Sequence, residues 1–144
     1  MDMDKDIHVI EITVISGEGL RISRKKKVKT NSFVILRTNE NHFQKTMIDK
    51  RGGDHPLWNE KMIFRLPKDD PYLIVEVRCK QKLGNVIVGL VQIPVSDLVQ
   101  SYVQKGCLQY LSYRLRDAYG EENGLINIAA RVVNQENDTH LSLS

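Results

Sequence analysis

The chain has 144 residues, 41% hydrophobic and 27% charged, with a net charge of +3. That length supports one domain with a proper core, and the small net charge excludes a general polycation. Two cysteines, Cys79 and Cys107, are too few for a disulfide framework and lack metal-ligand spacing, and His8, His42, His55 and His140 are scattered.

The first residues, MDMDKD, are acidic and carry no apolar h-region, so no secretory signal is expected. No apolar run reaches the ~18 residues that a membrane crossing needs. The expectation is an intracellular, reduced protein, soluble or peripheral.

Period-2 alternation in short β-branched runs dominates the pattern. In VIEITVIS (9–16), Ile10, Ile12 and Val14 share one face, with Glu11 and Thr13 on the other. SFVILRT (32–38) and HFQKTMI (42–48) follow, joined by NEN (39–41), a polar turn of the hairpin kind. WNEKMIFRL (58–66), YLIVEVRC (72–79), VIVGLVQI (86–93), CLQYLSYRL (107–115) and GLINIAARVV (124–133) complete eight predicted strands. GEG, RGGDHP, PKDDP, KLGN and YGEENG separate them as turn-forming clusters. Eight strands without long helical periods predict an all-β, antiparallel β-sandwich. One short helix is predicted over 96–104, SDLVQSYVQ, capped by Ser96, with Leu98, Val99 and Tyr102 on one face. Residues 1–5 read as a flexible N-terminus, 6–133 as the domain and 134–144 as a polar, frayed tail.

PLWNEKMIF (56–64), TNSFV (30–34) and VIVGLVQIPVSDL (86–98) resemble a C2 domain. Gly52 and Gly53 ahead of Pro56, with YRLRDAYGEENGLINIAARV (113–132), resemble the plant branch of that family. Within it the chain looks like the small single-domain proteins that associate with copines and restrain defence-linked cell death, the hypersensitive response. The resemblance implies an eight-stranded sandwich that docks on phospholipid membranes, often through calcium held by aspartates in three loops at one end. It also implies a copine or another C2-containing protein as a partner.

Calcium takes about six to eight oxygen ligands, largely carboxylate. By the resemblance, the aspartates of the first loop fall at Lys25 and Asn31, where TNSF stands in place of SDPY. The D-x-D of the third loop falls at Cys79 and Gln81, and its later aspartate near Ile87. Asp49 and Asp54 lie around the second loop and match no defining ligand. No calcium site, no other metal and no cofactor are expected.

Charge fills the same places. RISRKKKVKTN (21–31) carries six cations and no acid; KRGGDHPL (50–57) has a net charge of +1 and RCKQKLGNV (78–86) of +3. Together they hold +10, which leaves −7 for the rest of the chain. Lysines standing where aspartates stood would supply permanently the positive charge that bound calcium supplies in relatives. Each Lys or Arg close to an anionic leaflet contributes roughly 1 kcal/mol. The candidate lipid-binding residues are therefore Arg24, Lys25, Lys26, Lys27, Lys29, Lys50, Arg51, Lys80 and Lys82. Ile22, Val28 and Leu83 sit among them and either dip into the headgroup layer or pack the loops down. Docking would place the protein in the cytoplasm, at the inner face of the plasma membrane.

Competing readings of the lysine run are plain solubility, an acidic protein partner, and nuclear targeting or nucleic-acid binding. Nucleic acid is not expected, because the nearby aromatics, Phe33 and Trp58, fall in strands rather than on stacking platforms. Trp58 reads as a sandwich anchor, with Asn59 and Glu60 in strand-end hydrogen bonds. Gly52 and Gly53 read as left-handed turn geometry rather than a phosphate cradle. Cys79 reads as an inert thiol unless flanking lysines depress its pKa. Lys45 alone is thin support for a second basic lipid site. His55 beside Asp54 is an adjacent pair in a turn and not a catalytic set, so neither an enzyme nor a small-molecule substrate is expected.

Overall fold

The computed structural model describes residues 7–38, 42–99 and 106–133. Among them ten strands and one helix follow in order: β1 (Ile7–Glu18), β2 (Arg21–Ser23), β3 (Lys26–Lys27), β4 (Ser32–Arg37), β5 (Phe43–Lys45), β6 (Leu57–Pro67), β7 (Tyr72–Gln81), β8 (Gly84–Pro94), α1 (Val95–Leu98), β9 (Gln109–Arg116) and β10 (Glu122–Val133). Eight strands form one antiparallel sheet in the order β5-β4-β7-β8-β9-β10-β1-β6, and β2 pairs with β3 apart from it. The join between β8 and β9 is a single residue pair, Leu90 with Arg116. The sheet therefore folds there into two four-stranded layers. At that corner a Cβ on Gly89 would lie 3.0 Å from Leu115 Cβ, so a side chain there would press on the facing strand.

Alternation places the core. On β6, Trp58, Met62, Phe64 and Leu66 point inward, while Lys61, Ile63 and Arg65 point out. Val34, Leu36, Val75 and Val77 of one layer join Ile10, Ile12, Ile126 and Ile128 of the other in one buried cluster. Each such side chain contributes about 1.5–3 kcal/mol on leaving water. The all-β antiparallel sandwich predicted from the sequence is the fold observed.

Each layer also buries an acid on its outer face between two cations. Glu11 accepts from Arg131 at 2.8 Å and lies 3.7 Å from Lys61. Glu76, 2% exposed, accepts from Arg37 at 3.1 Å and from Arg78. Removing one partner of such an acid would strand a desolvated charge, which is why both arms are present.

Several local expectations change. The expected helix near 96–104 has its described turn at Val95–Leu98: it starts one residue early, with Pro94 as its cap, no side chain bonds its first amides, and 100–104 lie outside the described residues. Ser96 is thus inside the turn and not its cap. Leu98 is buried and Val99 packs against the core as expected, whereas Tyr102 lies outside the described residues. The turn is held instead by Tyr113, whose hydroxyl donates to Asp97 Oδ2 at 2.9 Å. Burial, with the carboxylate adding to it, pushes that phenol above its usual range. HFQKTMI gives only three strand residues, Phe43–Lys45, before Asp49 bridges to Ser32. The NEN turn and both proposed flexible ends lie outside the described residues.

Candidate functional site

The basic segments meet at one end of the sandwich because their strands are neighbours. Ser32, at the start of β4, pairs with Cys79 near the end of β7 and with Asp49 ahead of the second loop. Three further bonds tie the loops together: Lys80 N–H to Asn31 O at 2.9 Å, Asn31 N–H to Asp49 O at 2.9 Å, and Thr30 Oγ1 to Lys50 O at 3.1 Å. Asn31 holds φ 66°, a left-handed conformation that asparagine tolerates better than most residues.

The first basic segment is not a plain loop. Arg21–Ser23 and Lys26–Lys27 form a small hairpin whose tip is Arg24 and Lys25. Asn123, 8% exposed and far along the chain, clamps its base. The Asn123 side chain accepts from Arg21 N–H at 3.0 Å and donates to Arg21 O and Val88 O, each at 2.8 Å. The sequence offered no sign of this clamp, since Asn123 looked like one more turn residue.

The side chains divide into those turned out and those turned in. Arg24, Lys25, Lys26, Lys27, Lys29, Lys50, Arg51, Lys80 and Lys82 are all exposed. Two of these cations have acidic neighbours: Arg24 pairs with Glu121 at 2.6 Å, and Lys27 lies 3.9 Å from Asp54. Arg78, counted in the third-loop charge, turns away to Glu76 on the sheet face.

The three apolar candidates separate. Val28 is 2% exposed and belongs to the core, its N–H bonded to Leu20 O at 3.0 Å, so it cannot dip into a headgroup layer. Ile22 is half-buried and packs on the same core. Leu83, at the tip of the β7–β8 turn, stands fully in solvent. Leu83→Ala removes no packing within the domain and is expected to leave Tm unchanged. Val28→Ala should instead lower stability by about 1–2 kcal/mol, read by thermal unfolding.

The carboxylates near the rim are already committed. Asp49 accepts from the N–H groups of Arg51, Gly52 and Leu57 at 3.2, 2.7 and 3.2 Å. Asp54 contacts His55 Nδ1 at 3.3 Å, and that hydrogen bond holds its carboxyl below the usual range. Among the described residues no three His, Cys, Asp or Glu side chains gather as a metal site. Asp49 and Asp54 are preoccupied carboxylates beside lysines, and Glu121 at the hairpin tip is taken by Arg24, a donor set that falls short of the roughly six to eight oxygens calcium takes.

Cys79 Sγ lies 3.1 Å from Thr30 O, and burial pushes its thiol up rather than down. Gly53 has φ +60° as expected of the turn. Gly52 is needed for a different reason: a Cβ there would lie 2.5 Å from Pro56 Cα.

The C2 domain family model matches residues 8–110. The chain belongs to the C2 domain family. This C2 domain is 31% identical over 138 residues to BON1-associated protein 2 of Arabidopsis thaliana, covering 93% of the chain and 66% of that protein. Among solved structures it resembles a C2 domain of plant Extended Synaptotagmin 1, with TM-score 0.67 and 19% identity over 88% of this chain and 94% of that one. It also resembles the calcium-bound pair of C2 domains of Extended-Synaptotagmin 2, with TM-score 0.69 and 16% identity over 87% and 45%. At those identities the two structures speak for the fold alone. As a C2 domain the chain is a membrane- or protein-interaction module, and no helix among its described residues is long and apolar enough to cross a bilayer.

Proposed function

We propose that this C2 domain is a peripheral adaptor that docks on anionic phospholipid through its fixed basic rim and does not need calcium to do so. The observation carrying this reading is the convergence of three lysine-bearing loops at one end, with lysine, asparagine, cysteine and glutamine at the first- and third-loop positions where calcium-binding relatives carry aspartate. About five cations approaching one leaflet contribute roughly 5 kcal/mol before ordering costs, enough for reversible attachment. The attraction weakens as salt shortens the ~8 Å Debye length.

The test is vesicle sedimentation with calcium and with chelator, at two salt concentrations. Binding should be equal with and without calcium and should fall steeply with salt. Melting should likewise be unchanged by sub-millimolar calcium. A Tm that rises with calcium, or binding that needs it, would restore a calcium-dependent mechanism.

A second reading has its own support. The Arabidopsis relative is named for association with BON1, and a sheet face carrying the half-buried Ile35 and Ile74 could serve a protein partner. On this reading the partner is a copine or another C2 protein, and the role is restraint of cell death in plant defence at the cytoplasmic face of the plasma membrane. Partner capture that survives rim charge reversal and high salt would support it. In both readings the domain binds rather than catalyses, and neither nucleic acid nor a small-molecule substrate is involved.

A further inference from the structure

Among its cations the small hairpin carries one hydroxyl that docking does not use. Ser23 ends β2, is exposed, and pairs across the hairpin with Lys26. Arg21 stands two residues before it, and Arg24, Lys25, Lys26 and Lys27 follow it directly. Arg24 is taken by Glu121 at 2.6 Å, which leaves Arg21, Lys25 and Lys26 without a carboxylate partner among the described residues. With Arg21, Arg24 and Lys25, Ser23 lines an open cleft of about 880 Å³ between the hairpin and the β9–β10 turn. Lys26, Lys27, Lys29 and Lys80 line a second cleft, on the side of β7.

The other hydroxyls of this loop are placed differently. Thr30 Oγ1 donates to Lys50 O at 3.1 Å, tying two loops together, and Ser32 is 1% exposed. β2 pairs only with β3, through two residue pairs, and stands apart from the eight-stranded sheet. Asn123 holds the hairpin at Arg21, two residues short of Ser23. The segment beyond that clamp lifts into an enzyme's groove at far smaller cost than a strand of the main sheet. Protein kinases that select by charge do so with groups complementary to those around the phosphoacceptor. Arg21 before the hydroxyl, and Lys25 and Lys26 after it, suit a groove lined with carboxylates.

We infer that Ser23 is a phosphoacceptor for a protein kinase of the class that selects basic substrates, and that its phosphate releases the domain from anionic membrane. The release rests on the membrane reading above; the acceptor site does not. Ser23 Oγ attacks the γ-phosphorus of ATP, the new O–P bond replaces the bond to ADP, and the kinase's catalytic aspartate takes the hydroxyl proton. The product brings about −1.5 to −2 charges and three acceptor oxygens into the middle of the hairpin. Lys26 lies opposite and Arg21 two residues back along β2, so the phosphate both offsets their charge and engages their donors. At roughly fivefold in affinity per charge near the leaflet, the loss is about ten- to thirtyfold.

The folded full chain is treated with ATP and the catalytic fragment of protein kinase C, and the modified residue is located by mass spectrometry. Phosphate is expected at Ser23 and is expected to be lost in Ser23→Ala. Sedimentation with phosphatidylserine vesicles then compares the unaltered chain, the phosphorylated chain, Ser23→Ala and Ser23→Glu. Ser23→Ala should bind as tightly as the unaltered chain. Ser23→Glu, which adds a single charge, should bind about fivefold less tightly, and the phosphorylated chain about ten- to thirtyfold less. Phosphatase treatment should restore binding. Tm should not change on phosphorylation, because the Ser23 side chain is exposed.

Incorporation at Thr30 or elsewhere but not at Ser23, or no incorporation at all, would overturn the acceptor site. Phosphate at Ser23 with vesicle binding unchanged would overturn the release and leave membrane docking intact. Failure of the unaltered chain to sediment would sink the membrane reading, and the release with it, while the position of the phosphate would still decide the acceptor.

Discussion

Replacing Lys25, Lys26 and Lys27 together by glutamate is expected to abolish sedimentation of this domain with phosphatidylserine vesicles. Removing three cations from the approach surface costs about 3 kcal/mol, or more than ~100-fold in affinity, and three carboxylates in their place add repulsion. The fold should be unaffected. All three side chains are exposed, and the ion pair that Lys27 would give up with Asp54, at 3.9 Å, is of the surface kind that contributes well under ~1 kcal/mol. Sedimentation as strong as that of the unaltered chain, measured at low salt, would refute docking by the rim. A fall in Tm of more than a few degrees would mean that the hairpin had been disrupted and the variant was no longer a clean test.

The largest effect on stability is expected from Trp58→Ala, at about 3–5 kcal/mol. Trp58 is 8% exposed, and its indole N–H donates to Ser32 O at 3.1 Å. A Cβ at Gly17 would lie 3.1 Å from the ring, so the cavity left by truncation would lie directly against β1. For a domain of this size the change should lower Tm by roughly 10–15 °C. Trp58→Phe keeps most of the apolar volume and forgoes the hydrogen bond, so it should cost about 1–2 kcal/mol. Thermal unfolding of the two variants separates the packing contribution from the polar one. A destabilisation below ~1 kcal/mol for the alanine variant would show that Trp58 is not the anchor its position suggests. Ser32 also carries the pairings with Cys79 and Asp49, so this one ring supports the root from which the basic loops extend.

Eight strands were legible because a half-buried strand writes its burial directly as alternation, as in Ile10, Ile12 and Val14 or Met62, Phe64 and Leu66. The small hairpin was not legible. Its outward positions are all cations or small polar residues, its inward apolar residues, Ile22 and Val28, are too far apart to show a period, and Asn123, which clamps its base, lies far along the chain. The start of the helix was misplaced because Ser96 suits a cap, whereas the turn begins at Val95 behind Pro94 and is tied to Tyr113, which is distant in sequence. The charge of the rim was legible as a sum but not as a shape. That Arg24 turns to Glu121 and Arg78 to Glu76, while four lysines share one cleft, depends on neighbours brought in by the tertiary fold. The choice between insertion and packing for Val28 was open for the same reason: an apolar residue in a charged run gives no indication of which way it points.

The alternation around Val28 has a consequence for how this loop can vary. The inward letters, Leu20, Val28, Cys79 and Asn123, hold the shape, and the outward letters hold the charge, so foldability and binding preference are stored in different residues of the same few turns. Such a loop behaves as a socket with exchangeable pins. Its outward residues can be rewritten for another anion, or for none, while the socket stays the same.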